Sequence, residues 1–194
     1  MNLTNNRQKV STWIFNPFLF LGGERIFVAG LIILAIHIPL GYMLDIRFDG
    51  AIDMHLVPSV SSWMTPVFDI LIAWGSMVIC MFVAARLFQS PIRLIDIAGG
   101  VALSRIPLLL SILPVYLLDP NVESVEQLLS LQGTEFYQLA ALGIISMIFL
   151  VWFFVLLFNA FKINSNLKGT RLWTGYLGSV LIAEMVSLYL IRLT

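Results

Sequence analysis

The segment FDGAIDMH places two acidic residues and one histidine within seven positions. Asp49, Asp53 and His55 carry carboxylate and imidazole groups, which are common ligands of divalent metal ions. Spacings of four and two residues would let the three side chains converge on one ion. The same segment contains Asp49-Gly50, which is typical of a tight turn, and no fourth ligand is evident. The pattern therefore favours an ordinary turn, with a metal or ligand site as the alternative.

Three ionisable residues, His37, Arg105 and Glu184, stand inside long apolar runs. An ionisable group within a membrane is costly and often marks an ion or substrate path, although such groups can also satisfy one another. Arg105 lies 11 residues after Leu94, and Glu184 lies 12 residues after Leu172. At about 1.5 Å per helical residue, the two lie at nearly the same depth if both runs cross in the same direction. We therefore predict that Arg105 and Glu184 face each other as a buried ion pair or hydrogen-bonded network.

Prolines follow two of these residues closely. Pro39 removes the donor of the Ala35 carbonyl, and His37 could cap that oxygen; a proton relay through the histidine is the alternative. Pro107 frees the carbonyl four positions before it in the same way. The side-chain donors of Arg105 could share in satisfying that carbonyl.

No catalytic motif accompanies these residues. The sequence has no HExxH, GxSxG, Walker loop or cysteine pair. Ser104 and Ser111 lie near Arg105, but a serine hydrolase would have to recruit His37 as base and Glu184 as orienting acid. We therefore expect a protein that is not an enzyme and that uses no cofactor.

The composition identifies the environment of the chain. Of 194 residues, 59% are hydrophobic and only 11% are charged, with a mean hydropathy of +0.94. Soluble domains have about 25% charged residues, so we predict an integral membrane protein. The net charge is zero and no basic patch suggests nucleic acid. The single cysteine, Cys80, excludes an intrachain disulfide, and the first apolar run is expected to stay as an anchor.

Five segments are long and apolar enough to cross a bilayer, which needs about 20 residues each. We predict an all-α, five-span bundle over 26–193, preceded by a cytoplasmic or interfacial segment, 1–25. The aromatic stretch STWIFNPFLFLGG belongs to that segment, and 121–133 is expected to form a short amphipathic helix on the outer face. The predicted spans are Ile26–Leu44, Val67–Ala85, Leu94–Leu118, Phe136–Phe161 and Leu172–Ile191.

The distribution of lysine and arginine predicts the orientation. Five spans place eight of these residues on one side and two on the other, where acidic loops lie instead. The N-terminus is therefore predicted to be cytoplasmic and the C-terminus non-cytoplasmic. The eight are Arg7, Lys9, Arg25, Arg86, Arg93, Lys162, Lys168 and Arg171, and the two are Arg47 and Arg192.

A stripe of small residues runs along the fifth span. Gly175, Ser179 and Ala183 recur every four positions, which lets two helix backbones approach closely. The stripe predicts a packing face, either within the bundle or between subunits. The expected partners are the lipid bilayer and a second copy of the chain or another membrane protein, with no nucleic acid.

The chain resembles the bacterial branch of the Yip (Ypt-interacting protein) family over residues 13–192. The resemblance rests on FNPFLFLGGERIFVAGLIILAI, FDGAIDMH, IDIAGGVALSRIPLLLSILP and the last two spans. It implies a five-span bundle with a cytoplasmic N-terminus in a bacterial inner membrane. The eukaryotic members' role in vesicle traffic is not implied, because the N-terminal segment here is only about 25 residues long.

These observations lead to one function and one alternative. We expect a non-enzymatic membrane protein that organises the membrane or binds protein or lipid partners. The alternative is a small ion or solute transporter or channel that uses His37, Arg105 and Glu184 along its path.

Overall fold

The computed structural model describes residues 10–48, 50–57, 59–118 and 132–193. This part of the chain is mostly helical, with one short β-hairpin. A 3₁₀ turn over Pro17–Leu19 precedes the first long helix. The elements are α1 (Gly23–Met43), β1 (Ile46–Arg47), β2 (His55–Leu56), α2 (Met64–Leu87), α3 (Leu94–Ser104), α4 (Ile106–Leu118), α5 (Thr134–Ser165) and α6 (Gly169–Ile191).

Five helical segments are long and apolar enough to cross a membrane, which agrees with the five predicted spans. The third is built from α3 and α4, which are separated at Arg105. The apolar window of this segment is 72% buried, against 17% for α5, so the third segment occupies the centre of the bundle. Pro107 is the second residue of α4 and cannot donate the backbone hydrogen bond to Leu103 that a continuous helix would have.

Glycines allow the central segment to lie close to its neighbours. A Cβ atom added to Gly30 of α1 would lie 2.6 Å from the Ala102 Cβ. One added to Gly99 of α3 would lie 2.6 Å from the backbone nitrogen of Phe27. Gly100 packs in the same way against Ala160 of α5. The Gly99-Gly100 pair therefore lets α3 contact α1 on one side and α5 on the other.

The connection between α1 and α2 folds into the bundle. Ile46 pairs with Leu56 and Arg47 with His55 in antiparallel register. Between these strands, Phe48 is fully buried and Ala51 is 1% exposed. A segment that looks like a solvated turn in the sequence is therefore part of the core.

The residues before α1 lie against α5. Residues 10–15 are helical, and the carbonyl oxygens of Ile14 and Phe15 accept hydrogen bonds from Trp152 Nε1 and Asn159 Nδ2, at 3.0 and 2.8 Å. Most of the amphipathic helix predicted for 121–133 lies outside the described residues, as do the charges before residue 10.

Candidate functional site: a loop peptide held between Arg105 and Glu184

One peptide group of the α1–α2 connection is held between two charged side chains. Arg105 Nη1 donates to the Ala51 carbonyl oxygen at 3.0 Å, and the Ile52 N–H donates to Glu184 Oε2 at 3.0 Å. The oxygen and the hydrogen of the Ala51–Ile52 peptide thus bind a cation and an anion respectively. Such charge-assisted hydrogen bonds are stronger than those between neutral groups, so they hold the loop firmly at this peptide.

A third hydrogen bond holds the same loop. The Ala51 N–H donates to Ser187 Oγ at 2.8 Å, and this hydroxyl donates in turn to the Glu184 carbonyl oxygen at 3.0 Å. Ser187 is fully buried and lies three residues after Glu184 on the inward face of α6. One turn of α6 therefore supplies both acceptors for two consecutive loop amides.

Gly50 leaves room for the Glu184 carboxylate. A Cβ atom added to this glycine would lie 2.5 Å from Glu184 Oε1 and 3.1 Å from its Cδ. A larger residue at this position would require the Glu184 carboxylate to shift. The turn dipeptide of the sequence is thus matched to a side chain about 130 positions away.

The structure brings together two of the three predicted mid-depth residues through this peptide rather than by a direct contact. The sequence left open an ion pair or a hydrogen-bonded network, and the observed arrangement is a network bridged by the loop backbone. The suggestion that Arg105 also holds the carbonyl freed by Pro107 is wrong, because its bonded nitrogen goes to Ala51.

His37 is fully buried in α1, and its role differs from the suggested cap. Its Nδ1 lies 2.8 Å from the carbonyl oxygen of Ile33, one turn earlier, rather than bonding to Ala35. A carbonyl only accepts, so Nδ1 carries a proton and donates it to this hydrogen bond. The ring packs edge-on against Phe48, with centroids 5.2 Å apart. The positive charge of Arg105 lies within electrostatic range of this ring.

Two of these residues have buried polar atoms without hydrogen-bond partners. Among the residues that the structure describes, Arg105 Nε and Nη2 and His37 Nε2 belong to this group. Arg105 is only 1% exposed, so its free donors face the interior of the bundle. Unsatisfied buried donors are unusual in folded proteins and call for an explanation.

Arg47 in β1 of the α1–α2 connection pairs directly with a carboxylate. Arg47 Nε and Nη2 donate to the two carboxylate oxygens of Asp69 at 3.0 and 2.8 Å. Asp69 is fully buried in α2. This pair was not predicted from the sequence, because the two residues are 22 positions apart and no periodic signal joins a residue of β1 to a residue of α2.

The predicted metal site is only partly within the described residues. Asp49 lies outside them, and Asp53 and His55 are exposed, with His55 in β2. Among the described residues no group of three His, Cys, Asp or Glu side chains could hold a metal ion. The metal site therefore stays a prediction that depends on Asp49.

The small-residue stripe of α6 faces α2 and α5 of the same chain. An added Cβ at Gly175 would lie 3.3 Å from the rings of Phe88 and Phe161. Ser179 Oγ donates to the Cys80 carbonyl oxygen at 3.3 Å, and Ala183 is fully buried. Of the two packing faces that the sequence allowed, the stripe lies on one within the bundle.

The serines near Arg105 are bonded to their own helices. Ser104 Oγ donates to the Gly100 carbonyl oxygen at 2.7 Å, and Ser111 Oγ to that of Leu108 at 2.8 Å. These are backbone contacts rather than the nucleophile–base contact that hydrolysis needs.

Fold and site together define a helical bundle with five membrane-length apolar helices and a buried polar centre. No family model, curated protein or solved structure matches the chain. The Yip resemblance accordingly stays a prediction.

Proposed function

We propose that the chain is a non-enzymatic multi-pass membrane protein that binds a membrane partner through the outer surface of its helices. The observation that carries this proposal is that the two buried charged side chains bind the protein's own backbone. Arg105 and Glu184 hold the backbone of the chain's own loop, which is a structural task. The lysine and arginine distribution supports an N-terminus in the cytoplasm. A bacterial inner membrane is what the Yip resemblance implies.

The surface best suited to a partner is the groove between α2 and α6. It has a volume of about 430 Å³ and is lined almost entirely by apolar atoms. Its walls include Ile79 and Ile182, which are 62% and 56% exposed. Its floor includes Gly178, where an added Cβ would meet no atom within 4 Å. A groove with a glycine at its base can accept an apolar transmembrane helix, because small residues let two helix backbones approach closely and such close packing favours helix association in lipid.

Site-specific photocrosslinking in native membranes tests this proposal. A photoreactive residue at Ile79 should give a discrete adduct with one membrane protein. The same residue at Ile148 of α5 is the matched control, because that isoleucine is 61% exposed but lies outside the groove. The control should react with lipid alone. Lipid adducts alone at Ile79, or equal protein adducts at both positions, would contradict partner binding in the groove.

A small transporter or channel is the second candidate function. The unpartnered Arg105 and His37 atoms favour it, since intramembrane polar groups that are not satisfied by protein commonly lie on a path. Flux through proteoliposomes made with the purified chain tests it. Flux that is lost on Arg105 substitution would support this candidate and displace the first.

A further inference from the structure

An open cavity lies at the start of α2, beside the β-hairpin. It has a volume of about 390 Å³ and shares no lining residue with the α2–α6 groove. Among the described residues that line it, Arg47 alone carries a charge, and four others carry hydroxyl groups. The four are Ser59, Ser61, Ser62 and Thr65. The cavity therefore offers a ligand one cation and several hydroxyl groups.

Arg47 presents the cationic member of its ion pair to the cavity. Its guanidinium donates to both carboxylate oxygens of Asp69, at 3.0 and 2.8 Å. The Arg47 side chain is 31% exposed, whereas that of Asp69 is fully buried and does not line the cavity. A guanidinium has N–H donors and no acceptor. The charged wall of the cavity therefore favours a ligand with acceptor oxygens.

The hydroxyl-bearing wall is held by hydrogen bonds of its own backbone. The Met64 N–H donates to Ser62 Oγ at 3.2 Å, and the Thr65 N–H donates to the Ser62 carbonyl oxygen at 3.1 Å. The Val60 N–H donates to Asp45 Oδ1 at 2.8 Å. These amides are thus already used, so hydroxyl groups rather than the amide end of α2 are the donors for a ligand. A wall that is fixed before binding lowers the cost of ordering it.

The cavity lies where the apolar surface of the bundle ends. Tyr42 and Trp63 are exposed beside it, and residues of these types are enriched at the boundary between membrane and water. Phe68 also lines the cavity, is exposed, and lies about one turn further along the membrane-length apolar helix α2. In a bilayer the exposed surface of Phe68 would contact acyl chains. A ligand that fits both walls therefore has an anionic part and an apolar part.

We propose that this cavity binds the phosphodiester headgroup of a phospholipid from the leaflet at this end of the bundle. Arg47 and the hydroxyl groups of Ser61 and Thr65 donate hydrogen bonds to the phosphate oxygens, because guanidinium and hydroxyl groups are common phosphate-binding donors. An acyl chain lies along Phe68. Free phosphate would share the first set of contacts but not the second. The inference does not depend on partner binding in the α2–α6 groove.

A titration of the purified full chain in a non-ionic detergent tests the proposal, with native mass spectrometry to count bound lipids. Phosphatidylglycerol and diacylglycerol with the same acyl chains are the matched probes, because they differ only in the phosphate-bearing headgroup. We expect one phosphatidylglycerol to bind about tenfold or more tightly than diacylglycerol, which is the scale of one hydrogen bond to a charged group. Inorganic phosphate at the same concentration should not displace this lipid, because it lacks the chain that contacts Phe68.

Two threonine variants locate the site. Thr65→Val removes a lining hydroxyl with little change of shape and should weaken phosphatidylglycerol binding about tenfold. Thr170→Val is the matched control, because Thr170 is exposed in the first turn of α6 and does not line the cavity; its affinity should equal that of the wild type. If Thr65→Val does not fold, Ser61→Ala takes its place, since Ser61 is exposed and precedes the helix. Equal affinities for the two lipids, an unchanged affinity in the folded lining variant, or displacement by inorganic phosphate would each overturn the proposal.

Discussion

Replacing Gly50 with alanine should uncouple the loop from α6. The added Cβ would lie 2.5 Å from Glu184 Oε1 and 3.1 Å from Oε2, so the carboxylate must move. We expect the substitution to act mainly on the Glu184 carboxylate. It should thereby weaken the hydrogen bond that this carboxylate accepts from the Ile52 N–H.

The expected loss follows from that hydrogen bond. A bond between a backbone amide and a charged group contributes about 1.5–3 kcal/mol, so Gly50→Ala should lower the free energy of unfolding by about that amount. Gly178→Ala is the control, because nothing lies within 4 Å of its added Cβ. Alanine in a helix interior is favoured over glycine by about 0.5–1 kcal/mol. The two variants should thus differ by about 2–4 kcal/mol.

A double-mutant cycle with Glu184→Ala isolates the coupling. Once the carboxylate is absent, Gly50→Ala should cost almost nothing, which gives a coupling energy of about 1.5–3 kcal/mol. Unfolding by a denaturing detergent in mixed micelles, followed by tryptophan fluorescence, measures all four proteins. Additive losses, or a Gly50→Ala variant as stable as Gly178→Ala, would refute the described contact between the loop and α6.

The remaining predictions concern topology, packing and metal. A reporter fused after Thr194 should be non-cytoplasmic and one inserted at 166–168 cytoplasmic, since lysine and arginine concentrate on one side; the reverse labelling would contradict five spans in this orientation. Gly99→Ala should destabilise the protein by about 1–3 kcal/mol in the same unfolding assay, because its Cβ would meet the backbone of Phe27, and a neutral effect would argue against this crossing. If the outer loop binds a divalent ion, chelation should remove it and His55→Ala should weaken binding about tenfold or more. Metal content that is unaffected by that substitution would leave the loop an ordinary turn.

Much of the helical framework could be predicted from the sequence, because a membrane-length apolar run is a local property. The depth match between Arg105 and Glu184 could also be predicted, since helical rise fixes positions along parallel segments. Both residues do bind the same peptide group. The interruption of the third segment at Arg105 could not be predicted from Pro107 alone, because Pro39 and Pro114 lie inside continuous helices.

The features that could not be predicted depend on tertiary placement. The residues after Phe48 are of types that occur both in solvated turns and in loops inserted between helices. The sequence of this segment therefore does not show which of the two it forms. The Arg47–Asp69 pair joins a strand to a helix across 22 positions, and no sequence period links the two. The partner of His37 was not predicted either, because its Nδ1 bonds the carbonyl of Ile33 rather than that of Ala35.

Amide hydrogen exchange at Ala51 and Ile52 tests the central claim most directly, because it needs no substitution. Both amides donate to α6 side chains within the bundle, at 2.8 and 3.0 Å. Ser61 of the same α1–α2 connection is exposed and serves as the internal reference. We predict that the Ala51 and Ile52 amides exchange at least about a hundredfold more slowly than the Ser61 amide, because exchange requires the loop to open. Exchange of all three at similar rates would show that the loop does not lie in the bundle and would contradict the account.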